Sequence, residues 1–325
     1  MYKEDVIKQR DTSIDILRSI AIIGIIIAHS NPNNFWIQLR GFDVILMVFL
    51  SAVCVNGFEK INYSNYVAKR SRRLILPVWI FLSIYFVGTY LFYYLPPTTE
   101  MLMSFTFLSD RYVWIIRILI ILAMAAPFIY KFTNTLSFRS NVLLLITVLA
   151  IAEFIFSNTD NKYLNIILMT LPYGLVYMLG LNIKSFTQKQ IKSLGLLSLF
   201  IFVIQSFYLS TISGRFIPVS EYKYPPQFYY MSYGLGVTLL LWISRSRIQR
   251  LFEVIHLDNF AKYVGKHTYW LYLWHIPVVD IVGSSYTPLL RLIIILGISL
   301  LLVYLQDQLV KKFVNNRMLI SILNG

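Results

Sequence analysis

Ser13-Ile-Asp15-Ile-Leu-Arg18-Ser-Ile-Ala-Ile-Ile-Gly-Ile-Ile-Ile-Ala-His29-Ser30 would enter a bilayer readily but for Asp15, Arg18 and His29. Ionisable side chains at membrane depth are costly, and a functional reading is the default. At about 100° per residue, the eleven steps from Arg18 bring His29 back to within roughly 20° of it. Asp15 precedes Arg18 by three residues and shares that face. One helix therefore carries a stripe of carboxylate, guanidinium and imidazole along an apolar surface. The plainer alternative is that Asp15 and Arg18 mark one end of a membrane helix and His29 the other, their charges reaching for the interface.

The rest of the chain is equally apolar. Of its 325 residues 57% are hydrophobic and 14% charged, and the mean hydropathy is +0.65. A soluble domain carries about a quarter charged residues, so composition predicts an all-α, polytopic membrane protein. A single domain over 1–325 is expected, with 1–12 and 308–325 as short cytoplasmic tails. About ten spans fit the hydrocarbon thickness, near 13–31, 41–58, 74–95, 112–131, 140–157, 163–183, 193–213, 226–244, 268–287 and 290–306. With the N-terminus inside, 21 Lys and Arg fall in cytoplasmic segments and five outside, which places both termini in the cytoplasm. The net charge of +14 thus punctuates spans instead of gathering on a soluble face, and nucleic acid is not an expected partner. Cys54 is the sole cysteine and the four histidines lack metal-ligand spacing, so neither a disulfide framework, a metal nor a bound cofactor is expected. The first apolar run ends without a cleavage site and reads as a signal anchor. Pro77 is expected to open the third span, Pro172 to kink the sixth, and Gly174 and Gly180 to permit close packing.

Arg18 and His29, with ten residues between them, resemble the signature of the integral-membrane acyltransferase family three. Asp15-Ile-Leu-Arg18-Ser-Ile-Ala21 is similar to the family's opening, and Arg40-Gly-Phe-Asp43 through Phe49-Leu-Ser51 to its second-helix pattern. Arg72-Arg73-Leu-Ile-Leu-Pro77, Tyr112-Val-Trp114-Ile-Ile-Arg117 and Gly265-Lys-His-Thr-Tyr269-Trp-Leu-Tyr272-Leu-Trp-His275-Ile-Pro277 resemble three further elements, in the same order. Where the family often has Ser-Gly, Ser51 is followed by Ala52, which predicts looser packing or a narrower tunnel there. No soluble esterase-like domain is expected after the last span. The resemblance implies a bacterial cytoplasmic-membrane enzyme that moves an acyl group, acetyl being expected, from acyl-CoA to a hydroxyl of a surface polysaccharide or its lipid-linked precursor. Membrane lipid is the other expected partner.

Acyl transfer to a hydroxyl needs a base and a place for the oxyanion. His29 is the expected base, or alternatively an acyl carrier, because imidazole titrates near neutrality. Residue counting puts Arg117 and Glu153 at a similar depth to His29, as an oxyanion donor and the group that fixes it, or else as a structural ion pair. Arg18, Arg70, Arg72 and Arg73 are candidates for the donor phosphates, Arg70, Arg72 and Arg73 reading equally as topological signal and lipid contact. Asp15, Ser51 and Trp114 support these motifs, while His275 is expected to make a helix-to-helix hydrogen bond. Tyr222 and Tyr224 belong to an interfacial aromatic belt that could also stack on a sugar. A transporter of glycan or small solute is the alternative function. The lack of an internal repeat counts against it.

Overall fold

The computed structural model describes residues 11–55, 62–94, 96, 98–109, 113–157 and 162–323, and among these no β-strand forms. The helices are α1 (Thr12–Ala28), α2 (Asn34–Leu39), α3 (Asp43–Val53), α4 (Tyr63–Tyr93), α5 (Thr99–Phe105), α6 (Trp114–Thr133) and α7 (Phe138–Ser157). They continue with α8 (Lys162–Asn182), α9 (Gln188–Ser213), α10 (Phe228–Val254), α11 (Asp258–Lys266), α12 (Thr268–Val282), α13 (Pro288–Phe313) and α14 (Arg317–Leu323). Each of the ten expected spans overlaps a helix, of which α3, with 11 residues, is the shortest; span ends at 56–58, 95 and 112 lie outside the described residues.

Among the described residues, 7 helical stretches are long and apolar enough to cross a membrane: Asn34–Val53, Tyr63–Phe92, Trp114–Thr133, Phe138–Phe156, Ile166–Ser185, Gln188–Ser213 and Pro288–Phe313. α1, with 17 residues, and α12, with 15, are shorter, and α10 begins in a Tyr-rich turn that dilutes its apolarity. Those three lie inside the bundle, where protein replaces lipid as the solvent. α3, α10, α11, α12 and α13 all pack on α1, burying Ile16, Leu17, Ala21, Ile22, Ile25 and Ile26. α9 is the converse case, with only 11% of its most apolar window buried.

α1 crosses α11 at very short range. A Cβ built on Gly265 would lie 1.9 Å from the Asp15 carbonyl oxygen, so only glycine admits this approach. A second close contact answers the Ser51-Ala52 departure. Gly180 of α8 faces Ala52, and a Cβ there would sit 2.7 Å from both the Ala52 Cβ and the Phe49 carbonyl. A small residue stands on the facing helix, so the packing expected to loosen is tight.

Pro77 does not open the third span. Asn62 caps α4 by accepting from the Asn65 N–H at 3.3 Å, and the helix runs from Tyr63 through Pro77. The proline costs only the bond that would have returned to the Arg73 carbonyl. Lys69, Arg70, Arg72 and Arg73 are consequently helical side chains with fixed directions.

Beyond α9 the connection folds back over α2. The Gln38 side chain accepts from the Val219 N–H at 3.0 Å, and the Tyr233 hydroxyl donates to the Leu39 carbonyl at 3.0 Å. Lys223 is buried by this arrangement.

Candidate active site

α1 delivers its polar residues to opposite ends of the bundle. Asp11 caps its start by accepting from the Ser13 N–H at 3.0 Å. Arg18 then stands 3.5 Å from buried Asp15 and donates to the Cys54 sulfur at 3.2 Å. Ser51, half-buried, precedes Cys54 by one turn of α3 and so shares its side of that helix. Arg18 and Arg70 both act electrostatically on Arg73, so α1 and α4 gather three guanidinium groups. Arg70 turns toward Tyr66, its guanidinium carbon 5.5 Å from the ring centre. Arg72, Arg73 and Lys69 line a basin of about 500 Å³, closed on one side by Met318 and Ile322 of α14.

At the other end His29 follows α1 as its C-cap, its N–H bonded to the Ile26 carbonyl at 3.0 Å. Its ring lies 5.2 Å from that of His275, inclined by 53°. His275, buried on α12, places Nδ1 against the Tyr272 carbonyl of its own helix. The expected helix-to-helix hydrogen bond is therefore not where this nitrogen goes. A carbonyl only accepts, so Nδ1 carries the proton, and a neutral His275 has its lone pair on Nε2.

The charged groups that act most strongly on His29 are Arg40, Lys223, Asp43 and Arg291. Arg40 is clamped to Asp43 at 2.7 Å, and fully buried Asp43 also accepts from the Val44 N–H at 2.6 Å. The Lys223 ammonium lies 5.6 Å from the Trp114 ring centre and 5.3 Å from that of Tyr224. Those two rings meet edge to face at 5.3 Å. Arg291 enters from the first turn of α13 and is also buried.

Several expected site residues fall elsewhere. Glu153 accepts from the Phe228 N–H at 3.0 Å, at the start of α10, and makes no ion pair with Arg117. The open amides of that helix end provide a local electrostatic partner for the carboxylate. Arg117 donates to the Phe107 carbonyl at 3.3 Å and is not among the groups acting most strongly on His29. Residue counting gave them a common depth but not a common azimuth. Tyr222 packs edge-on against Tyr229, 5.4 Å between ring centres, leaving Tyr224 as the loop tyrosine beside Lys223. Tyr112 lies outside the described residues.

Sequence reasoning assigned no role to Arg40, Asp43, Lys223 or Arg291. Arg40 and Asp43 stood inside a quoted motif. Arg291 could have been found by the rule applied to Arg18, since it precedes a run without formal charge from Leu292 to Gln306.

The fold thus sets an imidazole pair at one end of an apolar helical bundle and a basic basin at the other. A family model described as an acyltransferase domain matches residues 11–305, a span that takes in both clusters. The chain belongs to this acyltransferase family three, and it is accordingly an acyltransferase and a multi-pass membrane protein. Neither a curated protein nor a solved structure matches the chain.

Proposed function

We propose that the protein takes an acyl group, acetyl in the first instance, from cytoplasmic acyl-CoA and transfers it to a hydroxyl of a surface glycan or its lipid-linked precursor in a bacterial cytoplasmic membrane. The observation that carries this reading is the placement of Arg18 and His29 at two ends of α1, each inside its own cluster. Eleven residues at 1.5 Å rise separate them by about 16–17 Å along the axis, of the order of an extended pantetheine arm. Donor phosphates then lie at the basin on Arg72 and Arg73, with Arg18 close enough to Arg73 to share their charge, and the thioester reaches His29.

The acceptor hydroxyl attacks the thioester carbonyl carbon while His29 takes its proton. The carbonyl π electrons move to oxygen, and the tetrahedral oxyanion is held by fixed positive charge, for which Arg40, held in place by Asp43, is assigned. Collapse breaks the carbon–sulfur bond and returns the proton from His29 to the departing thiolate. His275 packs against His29 and limits its ring orientations. Arg117 and Glu153 position helices in this scheme and touch no reacting atom.

The test is turnover by purified protein in proteoliposomes, supplied with acetyl-CoA labelled in the acetyl group and a lipid-linked glycan. Release of free CoA with label in the glycan is the expected result. Movement of glycan across the bilayer with the thioester intact would refute the proposal in favour of a transporter.

A further inference from the structure

Among the described residues, the charges around His29 do not balance. Arg40 has Asp43 as its counter-ion, but Lys223 and Arg291 are each 6% exposed and make no salt bridge among the described residues. Arg291 Nε has no hydrogen-bond partner among the described residues. The nearby loop carboxylate, Glu221, is occupied by Arg215 at 3.0 Å, and Asp280 of α12 accepts from Tyr85 at 2.6 Å. Both unbalanced cations act on His29. Buried cations without counter-charge are costly, and a bound anion would offset that cost.

A transient oxyanion does not account for two surplus positive charges, since Arg40 already serves it. The donor's phosphates do not account for them either, because their cluster lies at the other end of α1. We infer that Lys223 and Arg291 form a subsite for a permanent anionic group, a carboxylate or a phosphate, on the acyl acceptor. The inference rests on the acyl-transfer reading given above and narrows its acceptor to an acidic glycan or a phosphate-linked sugar. Trp114 and Tyr224 fit the same occupant. They flank the Lys223 ammonium with aromatic faces, and Tyr224 is 58% exposed, so a sugar ring can stack while its anionic substituent reaches the cations. Arg291 supplies the planar donor fork suited to carboxylate or phosphate oxygens.

Binding tests this without requiring turnover. The full-length protein in detergent is titrated calorimetrically, in the absence of acyl-CoA, with two matched pairs. One is a trisaccharide ending in a uronic acid and its neutral hexose counterpart. The other is a disaccharide on a short polyprenyl phosphate and the same disaccharide on the uncharged polyprenyl ether. The expected result is that at least one charged member binds about 30-fold or more tighter than its neutral partner, and that Lys223→Gln and Arg291→Gln each remove most of the difference. Which pair discriminates identifies carboxylate or phosphate. Lys223→Arg, which keeps the charge, retains the preference and separates loss of charge from loss of fold. Equal binding within both pairs, no binding of either charged member, or a preference that survives both Gln variants would overturn the subsite. Charge-selective binding without any acetyl transfer would leave the subsite standing and refute the acyl-transfer proposal alone.

Discussion

Replacing Gly265 by alanine perturbs the active site without touching a reactive group. The added Cβ would meet the Asp15 carbonyl oxygen at 1.9 Å, its carbon at 2.5 Å and the Asp15 Cα at 2.8 Å. All three are backbone atoms, so no side-chain rotation relieves the contact. Ordinary van der Waals contact begins near 3.4 Å, and α1 must therefore withdraw from α11 by about 1.5 Å at this crossing. Overpacking of this kind costs about 1–3 kcal/mol or somewhat more. The displaced backbone is one turn from Arg18, and a 1 Å misplacement of a positioning group can cost about 100-fold in rate. Gly265→Ala is expected to lower the melting temperature in detergent by on the order of 5 °C and kcat/KM for acyl-CoA by about 100-fold. Gly297→Ala in α13 is the control, because a Cβ there meets nothing within 4 Å. It should be neutral or stabilise by up to about 1 kcal/mol, the helix-propensity difference. Wild-type melting and turnover in Gly265→Ala would refute the close crossing of α1 and α11.

Two further expectations address the helix ends and the membrane orientation. Glu153→Gln keeps an acceptor for the Phe228 N–H and should leave kcat/KM within about threefold of wild type, whereas Glu153→Ala loses the cap at a cost of about 1 kcal/mol, read as a lower melting temperature; equal inactivation by both would restore Glu153 to the chemistry. Accessibility tags at Asn33, Ser220 and Ser285 should report outside the cell and tags at Ser64, Thr187 and Asn316 inside, and an outside signal at Ser64 would detach the basic basin from cytoplasmic acyl-CoA.

Much of the fold was legible because a helix that faces lipid needs an apolar run long enough to cross it, as α4, α9 and α13 each contain. The interior helices obey a weaker rule, which is why α1 and α12 are short and α10 is polar at its start. The division of α1 into an Arg18 end and a His29 end was readable from spacing alone, since it depends on one helix's rise and turn. Partnerships between helices were not. Arg117 and Glu153 share a depth, yet Glu153 is drawn to the α10 N-terminus and Arg117 to the Phe107 carbonyl. Neighbourhood across a bundle depends on helix azimuth, which residue counting does not supply. His275 meets His29, and Lys223 comes to lie beside the site, only through the packing of α12 on α1 and the fold of the 213–226 connection over α2. The Ser51-Ala52 departure was visible in the sequence, but its compensation by Gly180 lies on another helix.

The central claim is a division of labour along α1, with donor binding at Arg18 and chemistry at His29. Calorimetric titration of acetyl-CoA into wild type, Arg18→Ala and His29→Ala tests it directly. Arg18→Ala should bind acetyl-CoA about tenfold or more weakly, having lost a charge-assisted contact to phosphate. His29→Ala should bind it within about threefold of wild type, although its turnover falls by about 100-fold or more, because the base acts only in the transition state. Wild-type affinity in Arg18→Ala, with donor binding lost in His29→Ala instead, would contradict this division and reverse the direction in which acyl-CoA lies along the helix.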